Sequence, residues 1–532
     1  MTKSSLLPFI IIFAIVVWLP GYLMRDLWQP DEARYAYVAR EMQQTGEWFV
    51  PHRHGEPYAH KPPMMFWLIN AASLTTGGEI GRLATRLPSL LGIIMTLWAT
   101  AAITKLYATR KDALRSILVA ATTFGIWWQA GWGQIDMLLC GIEIMAVYLL
   151  LADSLRPTRW RPALAFLFFG LGILTKGPVG FVVPLGAYIT AMIFAGQRSR
   201  LARRYWLWCL PLTLLPPALW LLAAKLSGAP ESYFHELIFA QNAERAAGKL
   251  GHIRPIYYYL KNMFVGGFPW ILFLPFAVKL ALQKEDNRTG DQTLLRMLLG
   301  WMFFVVIFFS ILPTKRSLYI LLAYPALAIS TSLSWPKLIE FRRDRVGISA
   351  MLAGAVIAMT GVVLLLAPHY RPDLPLNLLV GILCAAVMVG GSASLLLNYR
   401  KTGASRAWLY QLIGLLLVVY MLIALVVLPR FNAMNTPYAL PKIVKKYLPD
   451  GDPILLYKLN AEIMPYYCNR SGRVFWGLTE LRRAIRKYRK GVVIFLKDEW
   501  QENQKEEFAP FGDHGSFKMG HREYIWLAYD LD

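Results

Sequence analysis

The chain has 532 residues, of which 56% are hydrophobic and 17% charged, with a mean hydropathy of +0.40. That is too apolar for a soluble fold of ordinary composition, so lipid is its main solvent. The net charge of +23 raises the alternative of a nucleic-acid partner, but the basic residues recur on every second loop between apolar runs instead of forming one patch, which excludes it.

About 20 mostly apolar residues span a bilayer as one helix. Such runs extend from Leu6 to Leu428 and predict a mainly α-helical polytopic fold with about thirteen transmembrane helices. They are placed at 6–24, 83–104, 113–130, 135–151, 163–175, 178–195, 205–223, 264–281, 294–312, 317–334, 347–367, 376–397 and 407–428. The first run continues into Pro20-Gly21-Tyr22 with no small-x-small cleavage site, so it is expected to remain as an uncleaved helix. The even-numbered loops carry Lys105, Arg110, Lys111 and Arg115, then Arg156, Arg159 and Arg161, then Arg198, Arg200, Arg203 and Arg204. The pattern continues with Lys279, Lys284 and Arg288, with Lys337, Arg342, Arg343 and Arg345, and with Arg400, Lys401 and Arg406. Loops rich in Lys and Arg stay in the cytoplasm. The N-terminus is therefore expected inside, the odd loops outside, and the tail outside after an odd number of spans. Cys140, Cys209 and Cys384 fall inside spans and Cys468 stands alone in the tail, so neither a disulfide framework nor a thiolate metal site is expected.

Two outside loops are long, 25–82 and 225–263. The first contains Pro30-Asp31-Glu32-Ala33-Arg34-Tyr35, where a proline and two acids open a helical pattern running to about Gly46. A second amphipathic stretch follows Lys61-Pro62-Pro63, and both are expected to lie in the interface plane. From about Arg430 the character changes. Short apolar runs at 453–457, 473–476, 492–496 and 524–529 alternate with a basic helix at 479–490, the pattern of a small α/β domain outside the membrane. The expected division is a transmembrane catalytic domain, 1–428, with outer loops 25–82 and 225–263, and a C-terminal α/β domain, 429–532.

Ionisable groups near the outer membrane face are costly unless solvated or paired. They are Asp31, Glu32 and Arg34, Lys61, Asp136 in the turn 131–136, Lys176 in Leu174-Thr175-Lys176-Gly177-Pro178, Arg245, Lys315 and Arg316. Each has a plain structural explanation. Asp31 and Glu32 suit a helix N-terminus, Lys61 could snorkel, Asp136 could cap its helix, and the remaining cations could anchor helix ends to headgroups. Tyr257, Tyr258, Tyr259 and Trp270 fit an interfacial aromatic belt. What favours a site is that carboxylates and several cations all face one side beside two interfacial loops. Fixed cations stabilise a phosphate leaving group, and a carboxylate can take a proton from an acceptor hydroxyl. No Gly-rich phosphate loop is present, and His60 has no partner at metal-ligand spacing.

These segments, with Tyr58-Ala59-His60-Lys61-Pro62-Pro63, Gln134-Ile135-Asp136, the stretch from Asn242 to Arg245 and Lys315-Arg316-Ser317-Leu318-Tyr319, resemble the GT-C superfamily of lipid-linked-sugar transferases. Within it the sequence is most similar to the 4-amino-4-deoxy-L-arabinose lipid A transferases, over spans one to ten in its motifs and over the tail in its architecture alone. The resemblance implies a monomeric, inverting enzyme of the bacterial inner membrane that takes a sugar from undecaprenyl phosphate to lipid A, or to a protein or surface polysaccharide, at the periplasmic face. A transporter is the reading from another class; charges at span ends, instead of the midplane, argue against it. The resemblance makes Asp31 the essential acid beside the sugar and puts Lys61, Arg245 and Arg34 on the carrier phosphate. Glu32, Tyr35, Tyr58, His60, Asp136, Lys176, Asn242, Lys315, Arg316 and Tyr319 would line the donor and acceptor cavity. Family members that hold a metal have a Glu before the Lys and a His in the second long loop. Here His60 and Asn242 stand there, and an imidazole with an amide makes a poor divalent site, so no metal cofactor is expected.

The charge pattern has a direct check. A reporter active only in the periplasm, fused after Asp532, should be active, whereas activity of a cytoplasm-only reporter there would overturn the span count.

Overall fold

The computed structural model describes residues 6–201, 205–237, 253–283, 290–338, 343–503 and 512–531. The helices begin in chain order with α1 (Leu7–Met24), α2 (Asp31–Thr45), α3 (Met64–Ser73), α4 (Arg82–Tyr107), α5 (Arg110–Ala121), α6 (Phe124–Ala130), α7 (Ile135–Leu155), α8 (Trp160–Lys176), α9 (Val179–Phe194) and α10 (Tyr205–Leu226). Later helices include Gly290–Ile311, Ala323–Leu338, Arg343–Tyr370, Leu378–Thr402 and Arg406–Leu422. A helix, or a pair of shorter helices, lies under each of the thirteen expected spans. Among the described residues, eight helices are long and apolar enough to cross a membrane alone. A ninth span results if Tyr258–Gly267 and Trp270–Leu282, bent by 100°, count as one. The rest fall short for a geometric reason. The 16 residues of α9 rise only about 24 Å at ~1.5 Å each, less than the ~30 Å of a hydrocarbon core, and the run 113–130 breaks between α5 and α6 at Thr122 and Thr123.

The described residues cluster into two compact units. One comprises 1–22, 59–65 and 86–426, and the other 23–58, 66–85 and 427–532. Most of the first long loop thus groups with the tail, a different partition from a single boundary at 428.

The first unit is a helical bundle in which α8 packs on α7, α9 and α10. Two of its contacts are made backbone to backbone through glycine. A Cβ on Gly92 of α4 would lie 2.4 Å from the carbonyl oxygen of Met137 on α7, and one on Gly172 of α8 would lie 2.6 Å from that of Gly180 on α9. Between α8 and α9, Gly177 takes φ +86 and ψ −157, a conformation essentially restricted to glycine. The chain therefore turns immediately after Lys176, and Pro178 starts the next helix.

The second unit is α/β. The strands are β1 (His52–Arg53) and β2 (Glu56–Pro57), a hairpin in the loop, then β3 (Ile454–Tyr457), β4 (Gly472–Phe475), β5 (Lys490–Leu496), β6 (Gly512–Met519) and β7 (Arg522–Asp530). The last five form one sheet in the order β4-β3-β5-β7-β6, with β4, β3 and β5 parallel, β7 antiparallel to β5, and β6 antiparallel to β7. All of β3 is buried because both faces are covered. Leu455 and Tyr457 pack with Leu481 and Ile485 of the helix Leu478–Tyr488, while Ile454 and Leu456 pack with Leu440 and Val444 of Leu440–Tyr447 and with Ala33 of α2. Four strands and the basic helix match the expected apolar runs. The edge strand β6 does not, because Gly512-Asp513-His514-Gly515-Ser516 pairs through its backbone and offers no apolar pattern.

Replacing Gly172 by Leu should force α8 and α9 apart and lower stability by about 1–3 kcal/mol, read as a lower thermal unfolding midpoint in detergent. An unchanged midpoint would contradict the close helix contact.

Candidate functional site

In the second unit, α2 starts at Asp31 after Pro30, and Gly46 closes it with φ +74, its N–H bonded to the Met42 carbonyl. Asp31 and Glu32, adjacent in sequence, have different surroundings. Glu32 is 1% exposed and takes two hydrogen bonds from the Arg25 guanidinium, at 2.9 and 3.0 Å, and one from the Trp28 N–H at 3.3 Å. It therefore braces the entry to α2 and is spent on structure, which corrects its expected place in the cavity. Asp31 is also buried, with its carboxylate 3.8 Å from Arg34 one turn later. Arg34 in turn meets Glu462 of the tail at 3.4 Å, and Arg53 meets the same carboxylate at 3.4 Å. Burial works against the charge on Arg34, yet Tyr58, Glu462, Tyr35 and Asp31 around it outweigh that and hold its pKa above the usual guanidinium value. Burial likewise pushes the Tyr58 phenol up, against Arg34 and Arg53, which lower it. Tyr35 and Tyr58 both set their rings edge-on to Phe66, and Arg53 lies 5.2 Å over the ring of Tyr58.

In the first unit, α7 presents Asp136 in its first turn and α8 ends on Lys176. The two form a buried ion pair, and the Lys176 ammonium also lies 4.5 Å from the ring centre of Tyr319, carried on the short 3-10 turn Ser317–Ile320. Gln134 is the cap residue of α7 and no side-chain cap bond is made there, so Asp136 is held by Lys176. These three residues line a cavity of about 210 Å³ together with Leu139, Cys140, Glu143, Val183, Phe309, Thr314 and Leu322. The arrangement can hold a small polar ligand: a carboxylate and an ammonium fix hydroxyl or amino groups, and an apolar wall excludes water.

Other expected residues are placed differently. Lys315 is buried, and its ammonium donates to the carbonyls of Arg254, at 3.2 Å, and Leu312. It fastens the loop before Tyr319 and does not line the cavity. Arg316, on the same loop, is half-buried and offers its carbonyl to the Tyr259 hydroxyl at 3.1 Å. Lys61 is half-buried directly before α3. His60 is exposed with Nε2 3.6 Å from Glu236, an exposed pair worth little. No group of three His, Cys, Asp or Glu among the described residues converges as metal ligands would. Asn242 and Arg245 lie outside the described residues. The aromatic belt is also corrected. Tyr257 is exposed, but Tyr259 and Trp270 are fully buried, because their polar atoms find partners in the Arg316 carbonyl and, at 3.2 Å, the Thr122 hydroxyl.

Comparison with solved structures gives a TM-score of 0.76 to the crystal structure of ArnT from Cupriavidus metallidurans bound to undecaprenyl phosphate, over 99% of this chain and 98% of that one at 19% identity. The chain has the ArnT fold. In sequence it is 26% identical over 463 residues, 82% of its length and 78% of the relative's, to the undecaprenyl phosphate-alpha-4-amino-4-deoxy-L-arabinose arabinosyl transferase of Aeromonas salmonicida. It is 29% identical to the enzyme of the same name from Erwinia tasmaniensis, over 74% of its own length and 70% of that relative's. Residues 60–222 match the family described as dolichyl-phosphate-mannose-protein mannosyltransferase. The GT-C fold and the resemblance drawn from the motifs agree with all three findings.

Around the ArnT-like framework the structure adds three residues that sequence reasoning passed over. Arg25 and Glu462 carry no local motif and acquire partners only through folding. Glu143 did carry a signal, being a lone acid inside an apolar span seven residues after Asp136. The buried pair gives a test. Arg25→Met should cost about 3–5 kcal/mol by stranding Glu32, and a second change, Glu32→Gln, should recover much of the lost midpoint. If Arg25→Met unfolds at the wild-type temperature, the pair is not a brace.

Proposed function

We propose that the chain is an inverting glycosyltransferase of the inner membrane that moves a sugar, by resemblance 4-amino-4-deoxy-L-arabinose, from undecaprenyl phosphate to lipid A at the periplasmic face. What carries the reading is the 26–29% identity, over 74–82% of the chain, to transferases named for that donor. In the reaction an acceptor oxygen attacks the anomeric carbon while the bond from that carbon to the phosphate oxygen breaks. Undecaprenyl phosphate leaves with the bonding pair and gains negative charge. Lys61 and Arg245, with Arg34, are assigned to that charge, since cations fixed where charge develops stabilise the transition state. Asp136, Lys176 and Tyr319 are assigned to the sugar. The protein works as a monomer in this reading, its tail lies in the periplasm, and no step passes through a metal ion.

The role of Asp31 depends on the acceptor. A lipid A phosphate is already ionised and needs no base, so Asp31 would orient the donor or stabilise positive charge at the anomeric carbon. A second reading keeps the donor and takes a protein hydroxyl, and the match to the protein mannosyltransferase family favours it. A hydroxyl must lose its proton to a positioned base, a contribution of typically 10²- to 10⁴-fold.

Purified protein reconstituted with undecaprenyl-phosphate-4-amino-4-deoxy-L-arabinose and lipid A should add one aminopentose mass to lipid A, and failure with active donor would refute the reading. Lys61→Ala and Arg245→Ala should each weaken donor binding and turnover; full activity of either at low donor would remove that residue's role. Asp31→Asn should be nearly inactive, with a residual rate that stays flat above pH ~6, the second pKa of a phosphate monoester. A residual rate that climbs from pH 7 to pH 9 would transfer support to the hydroxyl acceptor.

A further inference from the structure

The cavity in the helical unit holds a carboxyl that the ion pair does not use. Glu143 lies seven residues beyond Asp136 on α7, about two helical turns, so both project from one face into the same space. Glu143 is 5% exposed and lines the cavity, where its charged neighbours are the Lys176 ammonium and the Asp136 carboxylate. Asp136 already has its counter-charge in Lys176. Two carboxyls therefore face one ammonium across a wall otherwise built largely from Leu139, Val183, Phe309 and Leu322. Burying a carboxylate without a partner is costly, and a cationic group entering the space would remove the cost. The cavity of about 210 Å³ leaves space beside both carboxyls for a small ligand group.

We propose that Glu143 is a specificity-determining residue that pairs with a cationic nitrogen of the transferred sugar, so that the cavity selects an amino sugar over its neutral counterpart. The proposal rests on the transferase reading and adds to it the residue that reads the charge. Lys176 is shared with Asp136, so the cavity holds one carboxyl more than its ammonium groups, and a ligand ammonium, a strong hydrogen-bond donor, fits that surplus carboxyl.

The test uses the full chain in lipid nanodiscs and two donors that differ at one position, undecaprenyl-phosphate-linked 4-amino-4-deoxy-L-arabinose and undecaprenyl-phosphate-linked L-arabinose. Glu143→Gln, equal in size, should lower kcat/KM for the amino donor by about 10- to 100-fold, the range for one charged hydrogen bond, chiefly through KM. The neutral donor should be unaffected or improved, and Glu143→Asp should retain part of the preference. Equal losses on both donors, or an undiminished preference in Glu143→Gln, would overturn the proposal. Thermal stabilisation by each donor supplies a readout without turnover. If the wild type is stabilised more by the amino donor and Glu143→Gln loses that difference, Glu143 reads the charge even where no transfer to lipid A occurs, and the missing transfer counts against the transferase reading alone. Transfer with no donor preference in either measurement sinks the role of Glu143 and leaves the transferase intact.

Discussion

A charged side chain removed from water must find a counter-charge or a ligand, and that requirement organises both units of this protein. In a low-dielectric interior the loss of hydration amounts to several kcal/mol per ion, returned only by close pairing with good geometry. Arg25 and Glu32 meet it with two parallel hydrogen bonds, and Asp136 and Lys176 meet it across the ends of α7 and α8. Arg34 and Arg53 share Glu462. Once these pairs are formed, the backbone that carries them has little freedom, so α2 starts where Arg25 can reach back to it, and α8 stops where its last side chain meets α7.

The pairing also separates structural from chemical carboxylates that sequence cannot tell apart. Glu32 has its acceptor capacity taken by Arg25 and Trp28. Asp31 sits at a longer distance from a guanidinium that itself divides its attention with Glu462. Glu143 is the limiting case, buried in a cavity where it shares the single Lys176 ammonium with Asp136.

The α/β unit joins the tail to the first long loop. Its sheet is covered on both faces, and the core on one face takes Ala33 from the very helix that carries Asp31. The short helix Ile463–Tyr467 adds Glu462 at its start, and the Arg40 guanidinium lies 4.2 Å over the ring of Tyr466 and donates to its carbonyl. The loop and the tail, hundreds of residues apart in the chain, cluster as one compact unit.

Much of this was legible from residue order. Hydropathy located helical segments under the expected spans, Pro30 and Gly46 bounded α2 to within a residue, and four strands of the tail sheet followed from short apolar runs. Local motifs also named Asp136, Lys176 and Tyr319, which folding brings to one cavity. These features depend on periodicity and on backbone preferences that act over a few residues, so sequence suffices for them. It could not say which bundle helices were too short to span alone, that β6 would complete the sheet, or that Tyr259 and Trp270 would be buried instead of interfacial. Nor could it assign Glu32 to Arg25, Glu462 to Arg34 and Arg53, or Glu143 to the cavity of Asp136 and Lys176. Those outcomes are set by which distant groups arrive within about 4 Å of one another, and in a medium that penalises every unpaired charge, only the tertiary structure decides the pairing.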